Sequence, residues 1–225
     1  MIPHSALRIP NSKVEMIRVF VADDHAVVRR GLVQILTETP DMVVAGEAST
    51  GREVLQAVRK HDYDVLVLDI AMPEGGGLEV LQQLQTLKPD LRVLILSMYP
   101  EKQYAVRALK TGAAGYLTKE SVPDELIAAI RKVARGGKYV SQSLAEQLAS
   151  ELRGEVEKEP HQTLSDREFQ VMILLAAGKS ITDVAEELSL SVKTVSTYRT
   201  RILEKLNLKS TAEIIRYALE HELVE

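Results

Sequence analysis

Five side chains in the N-terminal half could together carry phosphoryl chemistry: Asp23, Asp24, Asp69, Ser97 and Lys119. Carboxylates held close together repel one another and favour a hard divalent cation with oxygen ligands, such as Mg²⁺. A carboxylate can attack phosphorus and carry an acyl phosphate, while a lysine ammonium and a serine hydroxyl can bind phosphoryl oxygens. These residue types therefore predict a magnesium-assisted phosphoryl-transfer site, provided that the fold brings them together.

The elements that would position these residues are short apolar runs at 17–22, 42–47, 64–69, 92–97 and 114–119. The runs are rich in Val, Leu and Ile without clean polar alternation, which is typical of strands buried on both faces. Helical periodicity between them indicates five βα units, and hence an α/β fold with a doubly wound parallel sheet. Because function gathers at the carboxyl ends of such strands, the five side chains should meet at one edge.

A single Asp, Ser or Lys at a strand end is more often part of a turn or a helix cap than of a functional site. The pair of Asp23 and Asp24, taken alone, would favour a solvated turn. Joint placement at four strand ends makes coincidence the weaker explanation. His25 beside the acidic pair suggests a metal ligand, but Mg²⁺ prefers oxygen, so we expect a partly solvated residue at a helix start.

The C-terminal part changes character and predicts four helices, near 166–176, 181–187, 192–206 and 211–222. Capping-box patterns begin at Ser165, Ser180 and Ser210, and Ser191 is a further N-cap candidate. Gly178 and Asn207 stand where helix ends favour a left-handed residue. The second and third helices have helix-turn-helix spacing, and segment 192–209 holds five basic residues against one acidic residue. A small helical bundle with a solvated basic face is the alternative to a DNA-binding domain.

Composition and domain boundaries set the remaining limits. The chain has 225 residues, a net charge of −4 and no cysteine, which excludes disulfides, thiol nucleophiles and cysteine-based zinc sites. No apolar run is long enough to span a bilayer, and residues 1–15 lack a signal-peptide core, so we expect a cytoplasmic protein without membrane partners. We predict a disordered leader over 1–15, an α/β domain over 16–138, a linker over 139–163 and an all-α domain over 164–225.

Residues 17–135 resemble the receiver domain of two-component signalling, whose α/β sheet is flavodoxin-like. The matching segments are VFVADDH, VLDIAMPEGGGLE, LILSM and GYLTK. The resemblance implies that Asp69 accepts phosphate from a sensor histidine kinase. It also implies that Asp24, Asp69 and the backbone carbonyl of Ala71 bind Mg²⁺, with Asp23 assisting.

The same resemblance assigns a switch to Ser97 and Tyr116, in which the hydroxyl moves toward the phosphoryl group and the ring swings inward behind it. Lys119 then binds phosphoryl oxygens. An ordinary edge-strand aromatic is the alternative for Tyr116. Gly76 departs from the family, which often has a polar residue there, and this puts the flexibility of the loop in doubt rather than its chemistry.

Residues from Leu164 to Ser210 resemble a LuxR-type DNA-binding domain over its full length. The resemblance implies that the residues at the groove-facing start of the recognition helix are Thr194, Ser196, Thr197 and Thr200. The residues implied for contacts with the DNA backbone are Lys193, Tyr198, Arg199, Arg201 and Lys205. Ser196 stands where relatives often carry lysine, so the base preference of the family does not transfer.

Together the two parts resemble response regulators of the NarL/FixJ class, which implies a DNA-binding transcriptional regulator controlled by phosphorylation of Asp69. Its expected partners are double-stranded DNA, a sensor histidine kinase, a second copy of the chain when phosphorylated, and RNA polymerase. A phosphatase with an aspartyl-phosphate intermediate is one alternative, although Ala71 stands where such enzymes often place a second Asp. A module that works independently of phosphorylation is the other.

Overall fold

The structure is a computed structural model, and it describes residues 16–73, 76–121, 123–152 and 159–224. The predicted leader over 1–15 lies outside these ranges. Within them, no helix combines the length and the apolar character that crossing a bilayer requires.

Five parallel strands form the sheet of the N-terminal domain, in the order β2-β1-β3-β4-β5. Their bounds are β1 Ile17–Ala22, β2 Met42–Ala48, β3 Val65–Leu68, β4 Arg92–Ser97 and β5 Gly115–Thr118. The predicted α/β fold is confirmed. The strand order reverses between β1 and β3, which is the place where open α/β sheets bind ligands.

Helices cover both faces of this sheet. They are α1 Ala26–Thr37, α2 Gly51–Lys60, α3 Gly77–Leu87, α4 Glu101–Thr111 and α5 Pro123–Ala134. Along β1, Val19 and Val21 enter one hydrophobic cluster, while Phe20 and Ala22 enter another. This split explains why the strand lacks polar alternation, since successive side chains point to opposite faces and both faces are buried.

The predicted linker holds two elements. Helix α6 (Gln142–Leu152) contacts α4, and its Leu144 is buried. A 3₁₀ helix (Pro160–Thr163) leads into the C-terminal domain. The segment between them, 153–158, lies outside the described residues.

Four helices follow: α7 Asp166–Ala176, α8 Ile181–Glu187, α9 Val192–Leu206 and α10 Thr211–Glu220. The serines predicted as N-caps each accept a hydrogen bond from the backbone N–H three residues on, and they are Ser165, Ser180, Ser191 and Ser210. Gly178 and Asn207 have φ of 84° and 54°, so both are left-handed as predicted. The last helix ends two residues before the predicted position 222, and Glu222 already has a φ of 52°.

Candidate functional site

Four strand ends bring the predicted phosphoryl-transfer residues to the carboxyl edge of the sheet. Asp23 directly follows β1, Asp69 follows β3, Ser97 ends β4 and Lys119 follows β5. Together with Asp24 we call these residues the acid pocket. The side chains therefore come together although they span almost a hundred positions of the sequence.

Lys119 joins two of the carboxylates. Its Nζ lies 2.7 Å from Oδ2 of Asp69 and 2.7 Å from Oδ2 of Asp23. All three side chains are buried, with at most 4% of any of them exposed. The second oxygens are held by backbone donors, since Ala71 N–H donates to Asp69 and His25 N–H donates to Asp23. The carboxylates are thus fixed in place before any ligand arrives.

The charge balance of the pocket favours a cation. Burial raises the pKa of Asp69, and the opposing charge of Lys119 offsets this only in part. Burial alone would lower the pKa of Lys119, but the carboxylates of Asp69 and Asp23 outweigh it and raise that pKa above its ordinary value. One ammonium therefore faces three acidic groups, and a divalent cation would neutralise the remaining negative charge.

Asp24 supplies an oxygen suited to such a cation. Its Oδ1 is buried and has no hydrogen-bond partner among the described residues. Nδ1 of His25 lies only 2.7 Å away, but without hydrogen-bond geometry. Asp23, Asp24, His25 and Asp69 can each direct one ligand atom to a common point, because those atoms lie within 4.8 Å of one another. The three carboxylates fit the oxygen preference of Mg²⁺, which leaves His25 a neighbour rather than a preferred ligand.

Ser97 and Tyr116 meet at the backbone of Tyr99. The Ser97 hydroxyl accepts a hydrogen bond from Tyr99 N–H at 3.2 Å, and the Tyr116 hydroxyl donates to the Tyr99 carbonyl at 2.7 Å. Both side chains are buried, and burial raises the pKa of Tyr116 above its ordinary value. The predicted switch residues therefore hold the same short loop after β4.

Gly77 packs against the backbone of Asp69 and Ile70. Its role was not predicted from the sequence. A Cβ on Gly77 would lie 2.1 Å from the Asp69 carbonyl oxygen and 2.7 Å from the Ile70 Cα. Its N–H donates to the Ile70 carbonyl at 2.9 Å. The start of α3 therefore packs directly on the backbone that carries Asp69, and the glycine run at 75–77 was the available signal.

The predicted DNA-contacting residues all lie on α9. Lys193, Thr197, Thr200, Arg201 and Lys205 are exposed. Those that are half-buried are Thr194, Ser196, Tyr198 and Arg199. Val195, Ile202 and Leu206 face the core, so the helix presents its polar side to solvent.

Three of these residues also make contacts within the protein. Arg199 Nε donates to the Thr211 hydroxyl at 2.7 Å, and Lys205 Nζ pairs with the buried Glu168 at 2.6 Å. Tyr198 packs against the hydrophobic core. These contacts within the protein do not exclude the predicted contacts with the DNA backbone.

The C-terminal domain rests on the receiver-like domain through α7 and the preceding 3₁₀ helix. The Tyr104 ring of α4 meets the Phe169 ring edge-on at a centroid distance of 5.2 Å, and both side chains are buried. Arg107 lies over the same Phe169 ring at 4.3 Å and donates to the carbonyls of His161 and Leu164. Sequence patterns did not identify this contact.

The interface continues to the acid pocket. Tyr99, whose backbone is held by the two predicted switch residues, stacks its ring on Tyr104 at 4.7 Å. Gln170 of α7 donates to the carbonyl of Ile70, the residue next to Asp69, at 3.4 Å. Two short paths of contacts thus connect the pocket with the first helix of the C-terminal domain.

Comparison with known proteins agrees with the resemblance predicted for each of the two domains. Residues 19–131 match the family described as "Response regulator receiver domain", and residues 162–218 match "Bacterial regulatory proteins, luxR family". The chain is a LuxR-type response regulator. This membership makes it a DNA-binding transcription regulator of two-component signalling and does not support the phosphatase alternative.

Relatives of similar length carry both domains of this response regulator. "Response regulator UvrY" of Escherichia coli K12 is 36% identical over 209 residues, covering 92% of this chain and 96% of the relative. "Oxygen regulatory protein NreC" of Staphylococcus epidermidis is 40% identical over 216 residues, covering 92% and 99%. RcsB of Salmonella enterica, solved bound to a promoter with the phosphomimetic BeF₃⁻, has 25% identity and a TM-score of 0.62 and covers 89% of this chain and 97% of RcsB.

Proposed function

We propose that Asp69 is the phosphoacceptor of this response regulator and that its phosphorylation controls DNA binding by α9. The observation that carries the proposal is the buried Lys119 bridge between Asp69 and Asp23 at the carboxyl edge of the sheet. The fixed ammonium beside this carboxylate can stabilise the negative charge of an incoming phosphoryl group.

In the transfer, a carboxylate oxygen of Asp69 attacks the phosphorus of a phosphohistidine on the partner kinase. A new O–P bond forms while the N–P bond to the histidine breaks, and the histidine nitrogen keeps the electron pair. Lys119 Nζ, already 2.7 Å from Asp69 Oδ2, balances charge on the phosphoryl oxygens. These roles are assigned from the position of Asp69 and Lys119 at the edge of the sheet and from the chemical group that each carries.

Asp23, Asp24, Asp69 and the Ala71 carbonyl are the groups that would hold Mg²⁺. The ion, when bound, offsets the excess negative charge and shields the incoming phosphoryl oxygens. Oδ1 of Asp24 supports this assignment, because it is buried and accepts no hydrogen bond within the described residues, and such an oxygen is costly without a cation or a donor.

Coupling to the second domain would run through the loop after β4. A phosphoryl oxygen would accept a hydrogen bond from the Ser97 O–H and draw this side chain away from Tyr99 N–H, which donates to the Ser97 oxygen at 3.2 Å. A shift of that loop would disturb the Tyr99 stack on Tyr104 and, through it, the contact with Phe169. Release of α7 would then change the population of states able to bind DNA as a homodimer.

The DNA contacts are proposed for the exposed side of α9. Groove-facing positions are Thr194, Ser196, Thr197 and Thr200, and phosphate contacts are Lys193, Tyr198, Arg199, Arg201 and Lys205. The exposure of Lys193 and Arg201 supports this, because phosphate-binding cations must be open to solvent. Domain boundaries at 16–138, 139–163 and 164–225, the cytoplasmic location and the RNA polymerase partner stay predictions.

The test compares Asp69→Asn with Asp90→Asn, a matched change at an exposed loop position. Full-length protein is treated with acetyl phosphate and Mg²⁺, acid-labile phosphate is measured, and DNA fragments are then selected from a genomic library. We expect labelling and phosphorylation-enhanced DNA binding to disappear only in Asp69→Asn. Persistent labelling of Asp69→Asn would overturn the acceptor assignment, and DNA binding unaffected by labelling would support the phosphorylation-independent alternative.

A further inference from the structure

A second cluster of metal-binding side chains lies at the start of the C-terminal domain, far from the acid pocket in sequence. It consists of Glu159 directly before the 3₁₀ helix, His161 within that helix, and His221 directly after α10. One ligand atom from each of the three residues lies within 4.8 Å of the other two. All three residues are half-buried, and they join parts of the chain that are sixty positions apart.

We propose that Glu159, His161 and His221 form a binding site for Zn²⁺. Two imidazoles and one carboxylate are a donor set that zinc uses with a fourth position left to water or another ligand. The all-oxygen set of the acid pocket suits Mg²⁺ instead, so the two sites select different metals by chemistry. The proposal does not depend on phosphorylation of Asp69.

The geometry of the cluster is already partly set. Nδ1 of His221 lies 3.1 Å from Oε2 of Glu159, a spacing close to that of neighbouring ligands around one tetrahedral ion. The hydroxyl of Tyr217 contacts Nδ1 of His161 at 3.2 Å and also accepts a hydrogen bond from the His161 backbone N–H. Tyr217 thus orients the His161 ring, as a hydrogen-bond partner outside the ligand set commonly does in metal sites.

The electrostatics keep one imidazole ready for a metal. Burial lowers the pKa of His161 to about 4, with smaller contributions from His221 and Arg107. At neutral pH this imidazole is therefore uncharged, which is the form that binds zinc. The carboxylate of Glu159 supplies a negatively charged oxygen ligand beside the imidazoles.

The position of the site suggests what bound zinc would do. Arg107 of α4 donates to the His161 carbonyl at 2.8 Å, so the metal-binding residue is itself part of the contact between the two domains. Zinc would tie the entry of the C-terminal domain to the end of α10. Because the site requires folded chain, zinc should stabilise the folded protein by linkage.

The test uses untagged full-length protein with excess Mg²⁺, which competes with zinc for the acid pocket. Zinc binding is measured by isothermal titration calorimetry, and Co²⁺ is used as a spectroscopic probe of the ligand set. We expect one zinc to bind to the wild type, and at least tenfold weaker binding in His221→Gln and in Glu159→Gln, with loss of the visible Co²⁺ bands. His61→Gln, a change at an exposed histidine, should bind zinc as the wild type does.

A further variant, His25→Gln, separates the two clusters, because His25 lies beside the acid pocket. Zinc binding that is lost in His25→Gln but kept in His221→Gln would overturn the proposal. Failure of the wild type to bind zinc would also overturn it. Circular dichroism checks that each variant is folded. We expect His221→Gln to disturb folding least, because His221 directly follows the last helix.

Discussion

The acid pocket and the proposed recognition helix α9 both carry charged side chains, but these are buried in the pocket and exposed on the helix. Lys119 is 4% exposed and bonded to two carboxylates, whereas Lys193 on α9 is exposed to solvent. In the function proposed above, the pocket carries out phosphoryl transfer with charges that are fixed and compensate one another. The helix binds DNA in that proposal, and its exposed cations gain binding free energy by releasing counterions from the DNA.

The difference teaches that the same residue type has different energetic weight in the two regions. A buried cation is part of the folding free energy, since its removal leaves carboxylates without compensation. An exposed cation contributes little to stability and acts on binding instead. Lysine substitutions in the two regions therefore test the comparison directly.

Lys119→Met should have the largest effect on stability. Two buried carboxylates lose their cation, and we expect the free energy of unfolding to fall by about 3–5 kcal/mol in the absence of Mg²⁺. Excess Mg²⁺ should recover part of the loss, because the ion would replace the missing charge. Urea unfolding with EDTA and with Mg²⁺ measures both quantities. A loss below about 1 kcal/mol would mean that the pocket behaves like the exposed surface.

Gly77→Ala should have the next largest effect. The added Cβ would meet the Asp69 carbonyl oxygen at 2.1 Å, and backbone atoms cannot move aside cheaply. We expect a destabilisation of about 1–3 kcal/mol, with slower phosphorylation because Asp69 shifts. The matched control is Gly31→Ala in α1, where a Cβ meets nothing within 4 Å. The control should instead stabilise the helix by about 0.5–1 kcal/mol. Equal melting temperatures for the two variants would contradict the close packing.

Lys193→Met provides the counterpart of Lys119→Met on α9. We expect unchanged stability and weaker binding to DNA of every sequence. The slope of the logarithm of the binding constant against the logarithm of the salt concentration should fall by about one in magnitude. Affinity measured at several salt concentrations checks this. The control is Arg216→Met on α10, whose side chain is 70% exposed. A sequence-selective loss of binding in Lys193→Met would assign this residue to base contact rather than to the backbone.

Tyr104→Phe should change the free energy of unfolding only slightly. The Tyr104 hydroxyl is buried without a hydrogen-bond partner among the described residues, while its ring stacks on Tyr99 and meets Phe169. Removing an unsatisfied hydroxyl should change the free energy of unfolding by no more than about 1 kcal/mol, in the stabilising direction. Tyr104→Ala, which also removes the ring, should separate the domains. Thermal melting and small-angle scattering distinguish the two variants.

Local sequence signals predicted much of the molecule. Apolar runs placed all five strands to within one residue at each end, since short runs rich in Val, Leu and Ile without polar alternation are typical of strands buried on both faces. Serine caps and left-handed residues at Gly178 and Asn207 set the helices of the C-terminal domain. Convergence of Asp23, Asp69 and Lys119 followed from one general property of parallel sheets.

Only the tertiary structure decided which groups from separate elements pair with one another. The sequence by itself determined the elements and the residue types at their ends, because hydrophobic periodicity and capping act over a few residues. It did not predict that Lys119 bridges Asp69 and Asp23, that Tyr104 packs on Phe169, or that His161 meets His221. Such contacts depend on how whole helices pack, and packing is set by the shapes of many side chains at once, which no local pattern records.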